Sequence, residues 1–347
     1  MYPFYLGIDL HLKRTFMVLM NANGEVIDKQ RITNQEITTY LQEKVPQETY
    51  AVLEATRNWP FMYDLLQDHV QQVDLVHAKA VRTIANAAVK TDQIDASTPA
   101  HLARLNYIPK AYAATKEMRD LRQLLRHREW MVNQRTRAKN RVHAVLAGYN
   151  LVSPVTDLFG VAGREYLAEV LEKELCPAAQ QVVTDHLALS DHLEERIHAL
   201  FKSISLDEQK EHIVKLLMSM PGVGRLTALT ILAEIGDISR FNSPKSLCSW
   251  AGLTPKVHSS DAMVQHGHIT KEGSRYLRTA MVQAATVACR VSPKWYMVHE
   301  HLALHCGRRS ARVAVARRLL TVIYYMWKRE QPYQENYGQN QSEALGA

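Results

Sequence analysis

Apolar positions in the first hundred residues recur with a period of two and then of three to four, and this change of period divides the chain into elements. Phe4 to His11 is an apolar run broken by one acid, Asp9, and reads as a central strand. Thr15 to Met20 reads as a second strand, Asn21-Ala22-Asn23-Gly24 as a hairpin turn, and Glu25 to Ile32 as an alternating edge strand. Asn34 is placed to cap a helix running to about Lys44, and Tyr50 to Leu53 forms a fourth buried strand ending at Glu54. Trp59-Pro60 opens another helix, Val73 to His77 is a fifth strand, and the chain turns helical from Ala78. The order β-β-β-α-β-α-β-α predicts a mixed sheet with helices on its faces, in a module covering 1–107.

Beyond that module the periodicity is helical. Thr115 to Leu146 contains no Gly or Pro, and Met118, Leu121, Leu125, Met131 and Val132 recur at helical intervals. A second helical stretch runs from Glu165 to about Ser203, so 108–210 reads as a helical hairpin or coiled-coil arm. Residues 211–330 form a third, mostly helical part. There Ile213 to Met218 leads through Pro221-Gly222-Val223-Gly224 into an apolar helix ending at Ile235. Ser246 to Gly252 is helical, Leu253 to His268 reads as a loop, a helix follows Gly273 to Arg290, and a basic helix closes this part. The polar tail 331–347 has the composition of a disordered segment.

Charge sharpens the picture. The 347 residues carry a formal net charge of +7. Between Arg104 and Arg141 eleven Lys and Arg face three acids, whereas Glu165 to Glu211 holds eleven acids against four cations. A solvated spacer has such charge runs too, but this density of cations favours nucleic-acid contact. The basic candidates are Arg122, Arg126, Arg135, Arg137, Lys139 and Arg141, with Lys271, Arg275, Arg308, Arg309 and Arg312 further on. Gly222 and Gly224 resemble the turn of a helix-hairpin-helix, where backbone N–H groups receive a phosphate; a glycine turn between packed helices serves structure equally. Four cysteines lack metal-type spacing, no apolar run is long enough to span a bilayer, and the start lacks the features of a signal peptide. The expectation is a cytoplasmic protein with no membrane contact.

Asp9 is the chemical focus, since a carboxylate in a buried strand is costly unless compensated. A strand-end cap would explain it alone. Glu54 at the end of the fourth strand, and Asp92 and Asp95 three apart on a helix, change that weighing. If the first and fourth strands are adjacent and parallel, Asp9 and Glu54 meet, and the helix with Asp92 and Asp95 can pack across them. Four carboxylates at one point require cations, and hard oxygen donors suit Mg²⁺ or Mn²⁺.

The pattern of Asp9, Glu54 and Asp92-x-x-Asp95 resembles the ribonuclease-H-like (RuvC-like) nuclease core of Holliday-junction resolvases. More closely, Gly7-Ile8-Asp9-Leu10-His11, Leu53-Glu54-Ala55-Thr56 and Lys90-Thr91-Asp92-Gln93-Ile94-Asp95-Ala96 resemble the DEDD recombinases of insertion-sequence family one-hundred-and-ten. Met220-Pro221-Gly222-Val223-Gly224, Trp250-Ala251-Gly252-Leu253-Thr254-Pro255 and Gly267 to Gly273 resemble that family's second domain. The likeness covers about residues 4–325. It implies an α/β ribonuclease-H-like catalytic domain, an all-α coiled-coil arm and a C-terminal transposase domain. It also implies a serine nucleophile, matched by Ser260, with Ser259 as the alternative because Asp261 stands where Gly is usual. Ser274 likewise stands where Asn is common. Further implications are double-stranded donor and target DNA, a structured bridge RNA as guide, and a dimer or tetramer whose sites are shared between subunits. The rival readings are a structure-specific endonuclease that uses water, a protein-read DNA invertase, and a non-catalytic nucleic-acid binder.

Overall fold

Alternation in the first strand sets up the amino-terminal unit, because its two faces both need cover. A computed structural model describes residues 2–77, 80–81, 92–260 and 263–335, and of 92–95, 257–260 and 263–266 the backbone alone. The chain divides into two compact units at Ala114. The arm read from residue 108 gives up 108–114 to the first unit; the rest of it and the C-terminal part, read separately from the sequence, lie within the second.

The first unit contains β1 (Phe4–Leu10), β2 (Arg14–Asn21), β3 (Val26–Thr33), α1 (Ile37–Lys44), β4 (Thr49–Glu54) and α2 (Trp59–Gln67). It continues with β5 (Gln72–Val76), α3 (Asp92–Arg104) and β6 (Lys110–Ala111). The strands form one sheet in the order β3-β2-β1-β4-β5-β6. β1 pairs antiparallel with β2 and parallel with β4; β5 is parallel to β4 and antiparallel to β6. Leu6, Ile8 and Leu10 point to a core shared with Ile37, Leu41, Met62 and Leu66 of α1 and α2. Tyr5 points the other way, into a core with Val18, Tyr50, Val52, Ala96, Ala100 and Ala103. β1 is therefore buried on both faces, as a central strand of a helix-covered sheet must be.

Asn34 does not cap α1, which begins later, after Glu36. Its side chain instead accepts from Thr15 Oγ1 at 2.8 Å and donates to the His11 and Leu12 carbonyls. The sixth strand, β6, had no sequence signal, and the helix expected from Ala78 lies mostly outside the described residues up to Asp92.

The second unit opens with α4 (Lys116–Gly148), whose N-cap Thr115 accepts from the Met118 N–H at 3.4 Å. The helical stretch expected over 165–203 is two helices, α5 (Val161–Lys173) and α6 (Pro177–Ser203), divided where Pro177 starts the second. α4 and α6 run antiparallel: Met131 packs with Leu193 and Ile197, whereas Val142 and Leu146 share a core with Val183 and Leu187. Then come α7 (Glu208–Met218), α8 (Arg225–Ile235), α9 (Pro244–Trp250), β7 (Pro255–Ser260) and β8 (Met263–Ile269). The unit closes with α10 (Arg275–Val291), α11 (Pro293–Cys306) and α12 (Arg308–Arg329). The expected loop over 253–268 is a two-stranded antiparallel hairpin. α12 carries arginines from Arg308 to Arg318 and ends on Lys328 and Arg329, but Val315, Leu319, Leu320, Ile323 and Met326 are fully buried, so one face of it is core.

Candidate active site and nucleic-acid interface

Register brings Asp9 and Glu54 together. β1 and β4 pair in parallel up to Ile8 opposite Leu53, so the next residues on each strand are Asp9 and Glu54. By alternation both fall on the face of Tyr5, Tyr50 and Val52, the face that α3 covers. α3 lies close because residue 7 is glycine: a Cβ there would overlap the Ala96 carbonyl oxygen and stand 3.0 Å from Ala100 Cβ. At the far end of α3, Arg104 packs against Gly24 of the hairpin turn, beside the start of β1. The helix therefore runs against β1, and its first turn, Asp92 to Asp95, lies toward the strand end that holds Asp9. The side chains of Asp92 and Asp95 are outside the described residues.

The loops around Asp9 are tied to one another. The Asp9 side chain is 15% exposed, and His11 Nε2 stands 3.1 Å from its Oδ2. Asn34 Nδ2 and Asn58 Nδ2 donate to the His11 carbonyl at 3.0 and 3.1 Å. Asn58 follows Glu54 by four residues, so the loop after one carboxylate buttresses the loop after the other. Sequence reasoning missed Asn34, Asn58 and His11; an Asn ahead of Trp59-Pro60 reads as a helix cap, and its longer reach has no local signature. Among the described residues no three His, Cys, Asp or Glu side chains gather as a metal site. Asp9 and Glu54 offer hard oxygen donors of the kind Mg²⁺ and Mn²⁺ take, and completion of a four-carboxylate set rests on Asp92 and Asp95.

Ser260 lies on β7 opposite Met263, at the closed end of the hairpin, with Ser259 opposite Val264. The base of the hairpin is clamped by the glycine motifs. Gly252 (φ +67°) and Gly273 (φ +75°) fold so closely that a Cβ on either would overlap backbone, that of Glu272 and Trp250 respectively. Arg278 Nη1 donates to the carbonyls of Ala251, Glu272 and Gly273 at 3.1, 2.7 and 3.1 Å. Ser274 caps α10, accepting from the Leu277 N–H at 3.2 Å, a task Asn performs equally well. That departure from the expected motif is therefore physically conservative.

The basic candidates separate into two groups. Arg122 donates to the Ala233 and Glu234 carbonyls at 2.6 and 2.9 Å, at the end of α8. Arg126 pairs with the buried Glu234 carboxylate at 2.8 Å, Arg135 pairs with Glu194, and Lys139 sits 4.6 Å from the Phe159 ring centroid. These cations bind the chain to itself. Arg137, Arg141, Lys271, Arg275, Arg308 and Arg309 are exposed, with Arg312 partly so.

In the Gly-rich turn, Gly222 (φ +85°) meets the α10 backbone at Ala284 and Ala288, whereas Gly224 has open space about it. Gly224 is also the N-cap of α8 and has no side-chain cap, so anion-receiving N–H groups belong to that end. The turn is held by Arg225, whose Nη1 and Nη2 reach the Glu211 oxygens at 2.6 and 3.1 Å. This hydrogen bonding holds the Glu211 carboxyl below its ordinary pKa.

A strand-end Asp and Glu thus lie under a helix that begins Asp-x-x-Asp. Comparison with known proteins fixes the family. Residues 6–151 match a model described as a transposase, of the DEDD kind, and residues 214–300 match the transposase IS116/IS110/IS902 family. The chain belongs to the IS110-type transposases, enzymes that cleave and rejoin DNA. It is 27% identical to the transposase of insertion element IS1111A of Coxiella burnetii, over 94% of this chain and 90% of that one. It is 24% identical to the transposase of IS1328 of Yersinia enterocolitica, over 81% and 83%. A pilin gene-inverting protein of Moraxella bovis is 29% identical over 42% of this chain and 46% of its own. No described helix is long and apolar enough to cross a membrane.

Proposed function

We propose that this chain is a site-specific DNA recombinase of an insertion element, guided by a structured bridge RNA, with a ribonuclease-H-like carboxylate centre and a serine nucleophile. The observation that carries it is the register placing Asp9 and Glu54 on adjacent parallel strand ends, beneath the helix opened by Asp92 and Asp95. Asp9, Glu54, Asp92 and Asp95 hold the cofactor, and Mg²⁺ or Mn²⁺ bound there supplies positive charge against the phosphate oxygens. Ser260 Oγ attacks the phosphorus, forming an Oγ–P bond as the bond to the 3′-oxygen breaks. The serine proton passes to a base, for which His258 is a candidate, and the 3′-oxygen takes up a proton from solvent water and leaves as a hydroxyl. Attack by the 3′-hydroxyl of another strand then reverses the step and frees Ser260, so no nucleotide cofactor is required.

In this reading the carboxylates and Ser260 that act together come from different copies, in a dimer or tetramer. Arg137, Arg141, Lys271, Arg275, Arg308, Arg309 and Arg312 contact the phosphates of DNA and RNA. Recombination between a donor and a target plasmid, with element-derived RNA present or absent, tests the proposal. Recombination requires the RNA and is lost in Ser260→Ala. DNA cleavage that survives Ser260→Ala places a hydrolytic endonuclease in its stead, and recombination indifferent to RNA indicates a protein-read invertase.

A further inference from the structure

Between α4, α8 and α10 lies a recess of about 320 Å³ that neither the carboxylates nor the hairpin uses. Its walls carry hydrogen-bonding groups of both kinds: Asn133, Thr227, Thr230 and Gln283. Charge within it is balanced. Arg126 is neutralised by the buried Glu234, and Arg128 lines the recess together with Glu129. Two guanidiniums and two carboxylates offset one another there, so the recess offers a phosphate no net attraction and suits a neutral polar heterocycle. Flat surfaces are present too, since the Arg126 guanidinium stands 4.6 Å from the Tyr276 ring centroid and Arg275 stands 4.8 Å from it. Arg128 Nε is buried and has no hydrogen-bond partner among the described residues, although a buried donor ordinarily has one.

A second recess, of about 710 Å³, adjoins the first and shares Thr227 and Gln283 with it. It is lined by Pro221, Gly222, Val223 and Gly224, where the uncapped start of α8 presents its N–H groups. One recess thus suits an anion and its neighbour a planar polar ring, in the sequence in which a nucleotide carries them.

We propose that the recess among Arg126, Arg128, Asn133, Tyr276 and Gln283 receives an unpaired nucleobase, with the adjoining phosphate at the start of α8. The proposal rests on the reading of this chain as a nucleic-acid recombinase and adds a base-binding position to it. Single-stranded bases are recognised this way, by stacking on aromatic and guanidinium planes and by hydrogen bonds to their edges. A base still paired in a duplex cannot enter. The base can belong to the RNA or to a DNA strand opened during recombination, since the two present the same ring chemistry.

The test uses the full chain and three labelled probes of one sequence: single-stranded DNA, single-stranded RNA and the DNA duplex. Asn133→Leu and Gln283→Leu keep the bulk of each side chain and remove its hydrogen bonds. Each weakens binding of a single-stranded probe about tenfold or more and leaves duplex affinity within about twofold. Loss in the RNA arm alone assigns the site to the guide, and loss in the single-stranded DNA arm alone assigns it to an opened strand. Unchanged single-strand affinity, or an equal loss for duplex, overturns the proposal. Should either variant unfold, photocrosslinking of the unaltered protein to 5-iodouracil probes decides. Adducts at Tyr276 support the site, and adducts confined to other surfaces refute it. A chain that binds none of the probes refutes the recombinase reading itself; one that recombines DNA with single-strand affinity unaltered in both variants refutes only the base site.

Discussion

Replacing Gly7 by alanine tests whether the carboxylate centre depends on the close approach of α3 to β1. The added Cβ would overlap the Ala96 carbonyl oxygen and stand 3.0 Å from Ala100 Cβ. Both neighbours belong to α3, and the carbonyl is fixed in its helix, so the helix must withdraw by roughly 1 Å rather than one side chain turning aside. Overpacking of this kind costs about 1–3 kcal/mol, and the lower entropy of the unfolded alanine chain offsets ~0.4–1 kcal/mol of it. Stability therefore falls by on the order of 1–2 kcal/mol, a few degrees of melting temperature. Activity falls further, because Asp92 and Asp95 ride on the displaced helix and an error of about 1 Å in a reacting constellation costs ~10²-fold. Strand cleavage on a plasmid carrying the element's termini, measured beside thermal unfolding, reads both effects. Gly148→Ala is the control: a Cβ on this helical glycine meets nothing within 4 Å, so cleavage stays as it was and stability rises by ~0.4–1 kcal/mol. A Gly7→Ala protein with unaltered cleavage and melting would show that α3 does not set the geometry of the site.

Other substitutions separate structural cations from those free to bind phosphate. Arg126→Ala removes the partner of the buried Glu234 carboxylate from a pair whose arginine is half-exposed and destabilises by about 1–3 kcal/mol, read by urea unfolding, with Arg126→Met/Glu234→Leu recovering most of the loss. Arg137→Ala, at an exposed position, leaves unfolding unchanged and lowers the salt dependence of DNA affinity by about one unit of slope. Asn58→Ala removes a 3.1 Å hydrogen bond to the His11 carbonyl, costs about 1 kcal/mol in unfolding and raises the Mg²⁺ concentration needed for half-maximal cleavage. Among the thiols, the Tyr149 hydroxyl 2.9 Å from Cys176 Sγ holds that exposed thiol below its ordinary pKa, whereas burial pushes Cys248 up. Iodoacetamide at neutral pH therefore modifies Cys176 first and Cys248 last, which peptide mapping checks.

The sheet was legible because its strands declare themselves locally. The apolar runs 4–11 and 50–53 are properties of consecutive residues, and their parallel pairing places Asp9 beside Glu54 as expected. The hairpin over 255–269 was not, since its Ser, His and Gln positions lack the apolar alternation that marks a strand. α11 had a signal, Ser292 followed by Pro293, but its Ser292 cap and proline at the helix start were hidden by the neighbouring basic helices. Gly7, Gly252 and Gly273 are glycine for reasons of tertiary approach, which spacing in one sequence does not encode. The charge count over 104–141 predicted a basic helix, but no count reveals that Arg122 and Arg126 end on α8 or that Arg135 ends on Glu194. Long-range partners are set by packing, so local composition overstated the cations available to nucleic acid.

The central claim, that carboxylates and a serine act together on DNA, is tested most directly by isolating the covalent intermediate. Protein, element RNA and a donor DNA are quenched in denaturant during turnover, digested, and the DNA-linked peptide is sequenced by mass spectrometry. The account predicts a phosphoserine at Ser260, absent from Ser260→Ala and from Asp9→Asn. Cleaved DNA with no adduct, or an adduct that persists in Ser260→Ala, contradicts it.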